Sequence, residues 1–113
     1  MTYATFEDLN NQLIEYFQNK QFPEALELAT REGSKFPDQR MLADYWRMCA
    51  AARVDNLVLV GQIAERIFAD GLWYGEMMWR QTPSFAPLQG DADFERLVGK
   101  SRELAEKDSD SGT

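Results

Sequence analysis

Hydrophobic residues recur at three- and four-residue steps along most of the chain, which is the spacing of one face of an α-helix. No segment shows a convincing two-residue alternation of the kind that a half-buried strand requires. The pattern predicts four helices before Gly71: one from about Phe6 to about Asn19, one that Pro23 begins and Pro37 stops, one capped by Asp38, and one that Asp55 and Asn56 cap and that runs to Ala69. We expect Thr5 to cap the first of them.

The chain changes character after Gly71, which we expect to end the fourth helix in the left-handed conformation. Aromatic and Met residues then crowd into a short segment, and prolines follow it, so only a short helix fits there. The predicted elements are this helix near Tyr74–Gln81, a turn or 3₁₀-helix over Ser84–Gln89, and a last helix from about Ala92 to about Glu106 with Asp91 as its cap.

The length of 113 residues suits one small domain. We expect this domain to cover residues 1–107 and the polar residues 108–113 to form a disordered tail. The chain carries 12 Lys and Arg against 19 Asp and Glu, a formal net charge of -7. No stretch is basic enough to neutralise a row of phosphates, so neither nucleic acid nor an anionic membrane is an expected partner.

Residue types that carry much of enzyme chemistry are scarce. There is no His, so the commonest metal ligand and the usual proton shuttle at neutral pH are missing. Cys49 is the single Cys, and its place on an apolar helix stripe predicts a buried structural thiol. We therefore expect no enzymatic activity, no cofactor and no metal site. The lone Cys, the lack of a signal-peptide pattern and the lack of a long apolar run predict a cytoplasmic protein.

The predicted helices come in pairs with a period near that of helical repeat proteins. The segment from Leu13 to Leu26, LIEYFQNKQFPEAL, resembles a tetratricopeptide repeat. Tyr16 stands at the family's helix-A aromatic, Ala25 at its small helix-B residue and Pro37 at its closing proline, whereas Leu13 replaces the usual Gly. The resemblance implies an all-α fold of about six helices in antiparallel pairs, stacked as a short right-handed α-solenoid that binds other proteins.

The second pair diverges from the repeat pattern but keeps aromatic and small residues in the stretch DYWRMCAAAR, residues 44–53. Residues 71–98 are similar to a closing segment of bacterial tetratricopeptide-like modules, which can precede an α/β-hydrolase or peptidase domain. This sequence has no Gly-x-Ser-x-Gly elbow and no His for a catalytic triad. The resemblance therefore implies a bacterial interaction module, with a hydrolase or peptidase among its candidate partners.

The first candidate binding surface is the groove that helix-A residues line in tetratricopeptide-like stacks. Its predicted residues are Asn10, Asn11, Ile14, Phe17, Met41, Asp44, Tyr45 and Met48. An Asn amide can pair with the donor and acceptor of an extended peptide backbone. The set contains no Lys or Arg, which favours a neutral, apolar or basic segment over an acidic one. An unused solvated face accounts for the same residues equally well.

The second candidate surface is an aromatic and Met edge made of Trp73, Met77, Met78 and Trp79. Aromatic residues and Met are favoured at protein interfaces, although a core at the end of the stack is the simpler interpretation. Self-association through this edge would give a symmetric homodimer. A structural homo-oligomer with no separate ligand is therefore the alternative to a partner-binding module.

Overall fold

The computed structural model describes residues 3–111, with the side chains of residues 3–108, and contains no strand in that range. This confirms the all-α class predicted from the hydrophobic period. The α-helices are α1 (Phe6–Gln18), α2 (Phe22–Gly33), α3 (Arg40–Arg53), α4 (Leu57–Ala69), α5 (Glu76–Gln81) and α6 (Ala92–Ser111). Two 3₁₀-helices, Pro37–Gln39 and Pro83–Leu88, precede α3 and follow α5.

Three helices begin with a side-chain cap at a predicted residue. Thr5 Oγ1 accepts a hydrogen bond from the backbone N–H of Asp8 at 3.2 Å. Asn56 Oδ1 accepts one from Leu59 N at 3.1 Å, and Asp91 Oδ1 accepts one from Phe94 N at 3.0 Å. Each cap satisfies one of the N–H groups that the first turn of a helix leaves without an internal partner.

The predicted cap of α3 is wrong. Asp38 lies inside the 3₁₀-helix Pro37–Gln39, and α3 begins at Arg40 after Gln39, whose side chain makes no capping hydrogen bond. The fixed φ of Pro37 suits the first position of a helical turn, so a 3₁₀ turn forms before the α-helix starts.

The last helix extends to Ser111 instead of ending near Glu106. The predicted disordered tail, 108–113, includes residues 112–113, which lie outside the described residues, and its disorder stays a prediction.

Three helix ends share one geometry, in which the second residue after the helix takes a positive φ. These residues are Lys20 at 59°, Asp55 at 59° and Gly71 at 79°. In each case the following N–H reaches a carbonyl five residues earlier: Gln21 to Tyr16, Asn56 to Ala51 and Leu72 to Ile67. This is the Schellman end, and it confirms the prediction for Gly71. Lys20 and Asp55 adopt the same conformation without the freedom that glycine has.

The helices fall into two compact units, residues 1–60 and 61–113. In the first unit α2 packs against both α1 and α3. Its core consists of Leu9, Leu13, Ala25, Leu28, Ala29 and Ala50. Small residues let α2 and α3 approach closely, since a Cβ built on Gly33 would lie 3.1 Å from the Cβ of Ala43. The lack of a side chain at Gly33 therefore suits the close packing of these two helices.

The core of the second unit is built around Trp79, which is fully buried. Four rings surround it with centroids between 5.8 and 6.4 Å away. They belong to Phe68, Tyr74, Phe85 and Phe94, and the Phe85 ring stacks on the indole with an interplanar angle of 21°. Such a cluster buries a large apolar area within a short stretch of chain.

None of the helices described here combines the length and the apolar character needed to cross a lipid bilayer.

Candidate interaction surface of α1 and α3

Helices α1 and α3 meet through Trp46, which lies on the face of α3 that is turned toward α1. Its indole ring is 4.9 Å from the ring of Phe17. Its Nε1–H donates a hydrogen bond of 2.8 Å to Oδ1 of Asn10. An indole N–H can only donate, so the atom of the Asn10 amide that faces it must be the oxygen. The orientation of this amide is therefore fixed by the chemistry of its partner.

Two large apolar side chains are exposed one helical turn away from this contact. Ile14 follows Asn10 by four residues on α1 and is 37% exposed, and Leu42 precedes Trp46 by four residues on α3 and is 40% exposed. Residues four apart lie on the same side of a helix. Ile14, Leu42, Asn10 and Trp46 are called the α1/α3 surface below. Asn11 is also exposed on α1, as the predicted site requires.

Both helices of the α1/α3 surface carry charged residues. Helix α1 contains three acidic residues, Glu7, Asp8 and Glu15, and no basic one. On α3, Arg40 and Arg47 both pair with Asp44, and Arg47 also donates a hydrogen bond of 3.3 Å to the hydroxyl of Thr30 on α2. Of the three carboxylates, Glu7 lies on the side of α1 that bears Asn10 and Ile14, whereas Asp8 and Glu15 lie on another side of the helix.

The predicted groove residues of α3 are mostly not available to a partner. Met48 is fully buried, so its assignment to the groove is wrong: its side chain lies in the core. Asp44 is 13% exposed and pairs with Arg40 as well as Arg47. Met41 and Tyr45 are half-buried. Leu42 is the exposed apolar residue of α3.

The predicted aromatic edge is largely core. Trp79 is fully buried, and Trp73 and Met78 are half-buried, so the assignment of Trp79 to a binding surface is wrong. The physical reason is that Phe85 and Phe94, which come later in the chain, close over it. Met77 alone of these four residues is largely exposed, at 65%.

A polar network fastens the turn before α6 in the second unit. Both guanidinium Nη atoms of Arg80 bind the Glu95 carboxylate, at 2.6 and 2.7 Å, and Gly90 N–H donates to the same carboxylate at 3.0 Å. Gln89 donates to the carbonyl oxygens of Trp79 and Phe85 at 2.9 and 3.2 Å. The hydrogen bond from Arg80, followed by that from Gly90, lowers the pKa of Glu95 from 4.5 to about 2. The segment LQGDADFE, residues 88–95, therefore has a structural role, because its Gln89, Gly90 and Glu95 make these hydrogen bonds.

Cys49 is buried, as predicted for a structural thiol. Among the described residues, no group of three or more His, Cys, Asp and Glu side chains is placed to hold a metal ion. The buried Glu32 of α2 pairs with Lys35, and the hydrogen bond from that lysine lowers the pKa of its carboxyl group. Glu32 is thereby held as a carboxylate at the end of α2.

Comparison with known proteins gives no match: no protein family, no curated protein and no solved structure is similar to this chain.

Proposed function

We propose that this chain is a non-catalytic module that binds a partner protein or peptide through the α1/α3 surface. The observation that carries the proposal is the exposure of Ile14 and Leu42 beside the Asn10–Trp46 hydrogen bond. Apolar side chains next to an oriented polar group form the kind of surface that recognises a peptide: the apolar residues supply contact area, and the polar group fixes the register.

The helical spacing supports a tetratricopeptide-like arrangement for this module. Helix α3 begins at Arg40, 34 residues after α1 begins at Phe6, and α4 begins at Leu57, 35 residues after α2 begins at Phe22. The left-handed helix ends at Lys20 and Asp55 are likewise 35 residues apart. A period of about 34 residues is that of tetratricopeptide repeats. We propose on this basis that the helix pairs stack as a short right-handed solenoid.

The proposed partner is another bacterial cytoplasmic protein, with a hydrolase or peptidase as the first candidate class. Support for the homo-oligomer alternative is confined to Met77, the one largely exposed residue of the predicted aromatic edge. If self-association through that edge were the main role, Met77→Asp would convert a dimer into a monomer in light scattering.

A selection experiment tests the proposed function. A random peptide library is displayed and selected on the immobilised chain, and the selected peptides are titrated against purified variants. Ile14→Asp and Leu42→Asp each place a charge at an exposed apolar position of the α1/α3 surface, so each is expected to weaken binding at least tenfold.

The matched control for these variants is Val58→Asp. Val58 is an exposed apolar residue of α4, at 71% exposure, and lies outside the α1/α3 surface. This variant is expected to bind the selected peptides like the wild type. Failure to select any peptide, or equal loss of binding in all three variants, would contradict the proposed function.

A further inference from the structure

We infer that the Asp70–Gly71 pair is a modification site of this chain: isoaspartate forms there when the Schellman end of α4 opens, and the product prevents that end from closing again. The inference concerns a covalent change of the main chain and does not depend on the proposed binding function. It starts from the sequence, in which no other Asp precedes a glycine and no Asn does.

The reaction is an isomerisation that consumes no co-reactant. The backbone nitrogen of Gly71 attacks Cγ of Asp70, and the N–H proton leaves as water with the hydroxyl of the protonated carboxyl group. Water then adds to one of the two carbonyl groups of the five-membered succinimide ring, which gives back aspartate or gives isoaspartate, whose main chain runs through Cγ. Glycine favours ring closure, since it has no Cβ beside the attacking nitrogen.

Packing does not protect this pair. Asp70 and Gly71 are both exposed, and a Cβ built on Gly71 would meet no atom within 4 Å. No bulk of neighbouring side chains therefore stands against a rearrangement of the bond between them.

The backbone hydrogen bonds of the helix end do protect it. The N–H of Gly71, whose nitrogen must attack, donates to the carbonyl oxygen of Phe68 at 2.9 Å. The N–H of Asp70 and the N–H of Leu72 both donate to the oxygen of Ile67, at 3.2 and 3.1 Å. Three consecutive N–H groups thus hold the main chain on both sides of the reacting bond. Ring closure takes the hydrogen bond away from Gly71, so it requires the helix end to open first.

The product changes the length of the main chain. Isoaspartate at position 70 adds one carbon atom between α4 and Gly71, which moves the N–H groups of Gly71 and Leu72 away from the oxygens of Phe68 and Ile67. The Schellman end depends on the register of these groups, so it is lost. The modification therefore turns a transient opening of the helix end into a permanent one.

The first test compares the folded chain with the same chain unfolded in guanidinium chloride, at one neutral pH and one temperature. Trypsin releases residues 67–80 as a single peptide, since Arg66 and Arg80 are the flanking basic residues. Electron-transfer fragmentation of this peptide distinguishes isoaspartate from aspartate. We expect isoaspartate in the unfolded chain and at least tenfold slower formation in the folded chain. No isoaspartate in the unfolded chain would overturn the site, and equal rates would overturn the protection.

Hydrogen exchange measures the same opening independently. The protection factor of the Gly71 N–H should agree within about threefold with the ratio of the unfolded to the folded isomerisation rate, because both report the population of the open end. A rate ratio at least tenfold below the protection factor would contradict ring closure from the open end. Asp70→Glu is the matched control: it keeps the carboxylate but needs a six-membered ring, so the isomer should be absent.

The isomerised chain, separated by chromatography, tests the consequence for α4. It is expected to melt at least about 2 °C below the unmodified chain, with no exchange protection left at Gly71 and Leu72. An unchanged midpoint with protection retained would overturn the loss of the helix end. None of these results bears on peptide binding by the α1/α3 surface, which the selection experiment tests separately.

Discussion

The left-handed residue that ends α1 gives the clearest test of the local backbone geometry. Lys20 is exposed and has a φ of 59°. An L-residue in this conformation costs about 1–2 kcal/mol, because its Cβ approaches the neighbouring carbonyl oxygen. Glycine avoids this cost but loses about 0.5–1 kcal/mol more conformational entropy on folding. Lys20→Gly is therefore expected to raise the free energy of unfolding by about 0.5–1 kcal/mol.

The expected shift in melting temperature follows from the size of the chain. At roughly 2 cal/mol/K of unfolding entropy per residue, a gain of about 1 kcal/mol raises the midpoint by about 4 °C. Lys20→Gly should thus raise it by about 2–4 °C in a thermal scan followed by circular dichroism. Asp55→Gly is expected to give a smaller gain, because Asp tolerates the left-handed region better than Lys does.

Two control substitutions separate backbone geometry from other effects of glycine. Ser34 is an exposed helix-end residue with a φ of -66°, so Ser34→Gly has no strain to relieve and should lower stability. Gly71→Ala introduces the strain at the third end, where a Cβ meets nothing within 4 Å, and should also lower stability. A Lys20→Gly protein that melts below the wild type by as much as Ser34→Gly would refute the assignment of the Schellman end.

Three further predictions test the packing, the ion pairs and the caps. Leu13→Ala should cost about 2–5 kcal/mol of stability, because Leu13 is fully buried, whereas Ile14→Ala beside it should cost under about 1 kcal/mol in urea denaturation. The pKa of Glu95 is lowered to about 2 in the folded chain. Its contribution to the free energy of unfolding is therefore fully present above the unfolded-state pKa of 4.5 and is lost as the pH falls toward 2. The difference in melting temperature between wild type and Glu95→Gln should therefore shrink as the pH falls over that range. Glu103→Gln is an exposed control on α6, and its melting temperature should stay close to that of the wild type at both ends of the range. Asp91→Ala should cost about 1 kcal/mol through loss of the α6 cap, with smaller loss for Asp91→Asn.

The caps of α1, α4 and α6 could be predicted because they depend on residues three positions apart. Thr5, Asn56 and Asp91 each bind an N–H three residues ahead, so the sequence alone contains both partners. The cap at Asp38 failed for a local reason, since Pro37 started a 3₁₀ turn that the helical period does not reveal. Lys20 and Asp55 were not recognised as left-handed because that position is usually glycine or asparagine.

The candidate surface was harder to predict, because it depends on which side of each helix a neighbour covers. The period of α3 identifies its apolar residues, but it does not show which of them a neighbouring helix covers. Helix α2 packs on the side of α3 that bears Ala43, and Leu42 stays exposed. Trp79 appeared available for binding because its ring partners, Phe85 and Phe94, lie 6 and 15 residues farther along the chain. Burial of this kind is a property of tertiary packing and is absent from local periodicity.

Nuclear magnetic resonance mapping of a selected peptide on the isotopically labelled chain tests the central proposal most directly. The expected result is a set of shift changes concentrated in α1 and α3, including the side-chain amide of Asn10 and the indole N–H of Trp46. Shift changes that cluster around Met77 in α5, with α1 and α3 unaffected, would contradict it.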